Sequence, residues 1–136
     1  MFNTSTFTVI VSENLAEQVA AEPSLTDRER AAILKASAII HANLACNASI
    51  PTLASAVGLS QRRLVFGFKQ IFDTTVYGHL RECRMEAARR MLEETDMPLK
   101  QIAYLVGYGH ANNLIAAFRS RYGVPPRRHA RQLACA

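Results

Sequence analysis

Sixteen lysines and arginines dominate the chemistry of this 136-residue chain because they are unevenly placed. Residues 1–48 hold three basic and five acidic side chains, whereas residues 49–136 hold 13 basic and six acidic. Like charges gathered in one part of a chain attract polyanions, and nucleic acid is the usual one. A merely solvated basic surface has the same balance, so charge alone names a class of partner and no more. Other chemistries find less support. The cysteines, Cys46, Cys83 and Cys135, are odd in number and widely spaced. With no CxxC and no Cys/His ligand set, neither a disulfide framework nor a zinc site is indicated. Reduced thiols in a cytoplasmic protein are the simplest reading. His41, His79 and His129 show no ligand spacing, and His79 reads as a partly buried, satisfied histidine. No metal or cofactor is expected. Glycine-rich phosphate loops, paired carboxylates in an apolar setting and a nucleophile beside a base are all lacking, so an enzyme is not expected.

The positioning elements announce themselves as a repeat. "LASAVGLSQRRLVFGFKQIFD" runs from Leu53 to Asp73, and "IAYLVGYGHANNLIAAFRSRYG" from Ile102 to Gly123. Both open on an apolar–Ala pair, Leu53-Ala54 or Ile102-Ala103, and continue to Val57-Gly58 or Val106-Gly107. Phe68 or Phe118 follows, then Lys69 or Arg119, then Phe72 or Tyr122. A small Ala lets two helices approach, a Gly allows the turn between them, and a Phe anchors the second helix. That is the layout of a helix-turn-helix, whose second helix enters a DNA major groove. An array of plain helical hairpins shows similar repeats, but here the basic side chains concentrate in the same region.

The rest of the chain supplies helices to hold these units. Thr26 and Glu29 form a capping box ahead of a helix over about 27–44, with Ile33, Leu34, Ile40 and Leu44 as its stripe. Ser49 and Ser60 cap the two helices of the first unit, and Asp73 stops the second, where a positive φ is plausible. Thr75 opens a long helix over about 76–94 with an apolar stripe of His79, Leu80, Cys83, Ala87, Ala88, Met91 and Leu92. Helices over about 98–106 and 111–121 and a short basic one begun by Pro125 or Pro126 complete the set. The expected fold is all-α: two helix-turn-helix lobes joined by a long linker helix, about seven helices in all. Residues 1–25 differ. "TFTVIVS" reads as a strand with nothing to pair with, and "ENLAEQVAAE" as two helical turns. No run here is long enough to span a membrane or patterned as a signal peptide.

Residues 26–131 resemble the DNA-binding domain of the AraC/XylS family of bacterial transcription regulators. The resemblance rests on "LASAVGLS", "LRECRMEAARRMLEETDMPLKQIAYLVGY" and "FRSRYGVPPRRHARQ". "GFKQIFDTTVYGHLRE" looks most like the siderophore- and iron-linked members. It implies a first helix-turn-helix at about 49–73, a second at about 98–123, and recognition helices near 61–72 and 111–121. These would enter successive major grooves about 34 Å apart, so the site need not be palindromic.

The resemblance also implies contacts. Gln61, Arg62, Val65 and Phe66 in the first recognition helix, and Ala111, Asn112, Asn113, Ile115 and Ala116 in the second, would face bases. Arg62 suits guanine, and Asn112 or Asn113 suits adenine. Val65, Phe66 and Ala116 stand where the family often has polar side chains. They would meet thymine methyl groups, or they mark weak specificity or a protein-docking face. Phosphates would be met by Ser60, Arg63, Lys69, Arg81, Arg84, Lys100, Arg119, Arg127 and Arg128. Pro98 replaces the family's usual Ser or Thr cap, with Asp96 as its expected substitute; Asp73 replaces a usual Gly. Most family members carry a sensing domain ahead of this unit, so residues 1–25 read as an arm or a sensor remnant, and the chain as either a small single-domain regulator or a fragment or truncated homologue of a larger one. The partners implied are double-stranded DNA and, for an activator, RNA polymerase. The alternative is a truncated module that binds another regulator or polymerase and hardly touches DNA.

Overall fold

The computed structural model describes residues 23–46 and 49–134. The expected N-terminal strand and the two helical turns after it lie outside the described residues. Among those residues there are seven helices and no strand: α1 (Asp27–Ala42), α2 (Ile50–Val57), α3 (Gln61–Phe72), α4 (Val76–Glu94), α5 (Leu99–Val106), α6 (Ala111–Tyr122) and α7 (Pro126–Ala134).

Local chemistry sets the ends. Thr26 Oγ1 accepts from Glu29 N while Glu29 Oε2 accepts from Thr26 N, closing the capping box. Ser49, Ser60 and Thr75 cap α2, α3 and α4 by accepting from Thr52, Arg63 and Gly78. Each such cap is worth about 1 kcal/mol. Asp73 closes α3 in the left-handed region at φ 54°. The start of α5 departs from expectation. No side chain caps it at Pro98, and Thr95 rather than Asp96 bonds the bend, donating to Met91 O and accepting from Met97 N.

Two cores result. Ile33, Ala36, Ile40, Leu53, Ala54, Leu64, Phe68, Val76 and Cys83 form the first, from α1 to α4. Met85, Ala88, Leu99, Ile102, Ala103, Val106, Leu114 and Phe118 form the second, from α4 to α6. Helix α4 packs against helices of both lobes, and its burial changes sides between Cys83 and Met85. Met85, 1% exposed, lies outside the expected stripe because it serves the second core and not the first. Leu34 leaves its expected stripe for the opposite reason: it is 56% exposed, since Ile33 and Ala36 already fill the contact with the first core.

The repeat is longer than the sequence comparison suggested. Phe68 and Phe72 meet His79 at ring-centroid distances of 5.4 and 4.4 Å, and Phe118 and Tyr122 meet His129 at 5.5 and 6.3 Å. In both copies the histidine comes from the helix after the helix-turn-helix, α4 or α7. Each repeating unit is therefore three helices long, and the third helix closes the aromatic pair from below.

Candidate nucleic-acid interface

The two recognition helices are held alike. Leu64 and Phe68 anchor α3, and Leu114 and Phe118 anchor α6, all with no exposed surface. Helical periodicity then turns the intervening residues outward. On α3, Gln61, Arg62 and Val65 are exposed, Val65 at 44%. Phe66 is not: only 8% of it is exposed, and the Arg63 guanidinium lies 5.0 Å from its ring centroid. Phe66 is thus buried beneath Arg63, which does not fit a base-facing role. On α6, Asn112, Asn113 and Ala116 are exposed. Ala111 is half-buried, and Ile115, also half-buried, packs against the second core.

Among the expected phosphate contacts, Ser60, Lys69, Arg81, Lys100, Arg119, Arg127 and Arg128 are exposed. Ser60 Oγ also caps α3, and Lys69 pairs with Asp73 at 3.0 Å. Two arginines depart from the expectation of a free phosphate contact because partners within the protein engage them. Arg63 makes a two-pronged ion pair with Glu29, at 2.9 and 2.7 Å, and donates to Pro23 O at 3.0 Å. This pair ties α3 to the start of α1. The Arg63 hydrogen bonds, followed by the Thr26 backbone N–H, hold the Glu29 carboxyl down at about 2.

Arg84 is the second. Its Nε donates to Leu44 O at 3.0 Å, and its guanidinium lies 5.6 Å from the Tyr108 ring centroid. Leu44 follows α1 in the first lobe, while Tyr108 belongs to the turn of the second. Gly107 completes the seam. At φ 98° it takes a conformation that side chains avoid, and a Cβ there would lie 2.5 Å from Leu44 O and 2.8 Å from Arg84 Cζ. The sequence comparison missed this direct contact between lobes. Arg121, not singled out in the sequence, similarly braces α6 on α4 through a two-pronged pair with Glu82 at 2.7–3.0 Å. That pairing lowers the Glu82 carboxyl.

A further group contradicts the expectation that the histidines lack ligand spacing. His41 from α1 meets His79 and Cys83 from α4, with His41 Nε2 3.2 Å from Cys83 Sγ. The i, i+4 spacing of His79 and Cys83 was the visible half of the signal. Burial lowers the affinity of His79 for a proton, helped by His41, and raises the Cys83 thiol to about 11.

Comparison with known proteins agrees with this geometry. A family model described as a helix-turn-helix domain matches residues 53–132. The regulatory protein PchR of Pseudomonas aeruginosa is 40% identical over 71 residues, covering 52% of this chain and 24% of that protein. The HTH-type transcriptional activator RhaS of an Enterobacter species is 34% identical over 76 residues, covering 56% of this chain and 27% of its own length. The chain thus spans about a quarter of these curated relatives. An AraC-type DNA-binding domain protein from Chromobacterium violaceum superposes with a TM-score of 0.70 at 27% identity, covering 76% of this chain and 92% of that one. The DNA-binding domain of AdpA, solved with a target DNA, shares the fold with a TM-score of 0.70 at 21% identity, over 76% of this chain and 93% of its own.

Proposed function

This chain belongs to the AraC family of helix-turn-helix proteins, and on that premise we propose that it binds duplex DNA as the reading unit of a transcription regulator. Residues 26–136 are the DNA-binding unit in this reading. One observation carries it: two helices with matching buried anchors both turn polar heads outward, Gln61 and Arg62 on α3 and Asn112 and Asn113 on α6. Arg62 would bond guanine in one major groove and the asparagines adenine in the next. Val65 and Ala116 would meet thymine methyl groups. Arg81, Lys100, Arg119, Arg127 and Arg128 would neutralise phosphates and set the register. Activation through RNA polymerase is part of the same proposal, in line with the activator name of the Enterobacter relative.

The exposure of Val65 supports one competing role, docking of α3 on protein, although the burial of Phe66 removes half of the apolar pair that this would use. Selection from random duplexes at about physiological salt separates the two. The proposal expects a motif of two short blocks about 10 bp apart. Salt-sensitive binding without enrichment would overturn sequence-specific readout and favour protein docking.

A further inference from the structure

His41, His79 and Cys83 converge where the end of α1 meets the middle of α4. One donor atom from each, two imidazole nitrogens and the thiol sulfur, can be chosen so that all three lie within 4.8 Å of one another. A tetrahedral zinc with bonds of about 2.0–2.3 Å holds its ligands roughly 3.5 Å apart. The His41–Cys83 separation of 3.2 Å already meets that spacing, and the remaining contraction is within the reach of side-chain rotation at His41, which is exposed. We propose that these three residues form a binding site for a thiophilic divalent cation, with zinc as the ion that fits.

The donor set argues for that class. Two imidazoles and a thiolate suit zinc, and hard cations such as magnesium or calcium prefer oxygen ligands that this site lacks. The supporting shell is in place. Ser37 Oγ sits 2.9 Å from His79 Nε2, and Phe68 and Phe72 clamp the same ring; such partners orient metal ligands and fix their tautomer. Three protein ligands leave a fourth position, which the exposed side at His41 gives to water. His129, which occupies the place of His79 in the second unit, meets the carboxylate of Glu93 at 3.1 Å instead. The site is therefore a property of the first lobe and not a by-product of the repeat.

Its location gives it a consequence. Cys83 precedes Arg84, and His41 lies three residues before Leu44, so the ligands flank both partners of the contact between lobes. A bound ion would pin the end of α1 to α4 and steady the carbonyl that Arg84 grips.

The test uses the full chain carrying Cys46→Ser and Cys135→Ser, so that Cys83 is the remaining thiol. Cobalt(II) added to this protein is expected to produce a near-ultraviolet thiolate-to-metal band, which zinc then abolishes by displacement. Zinc is expected to raise the melting temperature. His41→Ala removes an exposed ligand without opening the core, and it should weaken zinc binding about tenfold or more, the scale on which even outer-shell partners act. Absence of the thiolate band in the folded protein, or zinc affinity unchanged by His41→Ala, would overturn the proposal.

Discussion

Arg84 and Leu44 bind the two lobes to each other: the Arg84 Nε–H donates to the Leu44 carbonyl at 3.0 Å while the guanidinium covers Gly107 and faces Tyr108. Two recognition helices read a bipartite site only if their separation is held. A charged hydrogen bond to a carbonyl is worth about 1.5–3 kcal/mol. Arg84→Ala should therefore lower the melting temperature and let the protein accept two half-sites moved apart by one base pair with little further loss. Arg84→Lys should not restore the wild-type preference, because an ammonium lacks both the Nε–H and the flat face. Binding to a series of spacer lengths measures this.

Glycine at 107 answers two demands, and the structure separates them. Gly58→Ala meets only the backbone demand, since φ is 74° and no atom lies within 4 Å of the new methyl group; about 1–2 kcal/mol is expected. Gly107→Ala adds a collision with the Leu44 carbonyl and should cost clearly more. Denaturant titrations of the two variants compare them directly. Equal losses would mean that the seam yields easily.

The Glu29–Arg63 pair makes stability depend on acid. In the folded chain the carboxyl titrates at about 2, against 4.5 in the absence of partners. A depressed carboxylate contributes fully above its unfolded value and loses that contribution as pH falls through its folded one. Wild type should thus exceed Glu29→Gln in stability at neutral pH. The difference should shrink between about pH 4.5 and pH 2. Thermal melts across that window give the curve.

Readout and positioning should part company on DNA. Arg62→Ala should cost about 1–3 kcal/mol at one base pair and relax preference there. Arg81→Ala should weaken all duplexes alike and reduce the salt slope by about 1. Equal losses on the selected and on random duplexes for both variants would remove the distinction.

What the sequence disclosed and what it hid follow from range. Caps at Thr26, Ser49, Ser60 and Thr75, and turns at Gly58, Gly107 and Asp73, are decided within a few residues, and all were legible. The anchors Phe68 and Phe118 were legible too, because the repeat marked both; Leu114, equally buried, is found only in the structure. The protein partners of Arg63 and Arg84 were not legible, since they lie 34 and 40 residues away in the chain. The burial of Phe66 is not legible in the sequence because the spacing of α3 alone does not tell which of its flanks will be covered. His79 and Cys83 gave half a ligand set, and His41 joined it only through the packing of α1 on α4.

Helix α4 closes the first three-helix unit through His79 and opens the second through Met85. The halves thus overlap in one element and have no border between them. A protease cut or a recombination joint anywhere within Val76–Glu94 would strip one half of its floor or the other of its roof. The halves should therefore melt as one transition, and functional chimeras should arise by exchanging the surface residues of α3 or α6 rather than by swapping lobes.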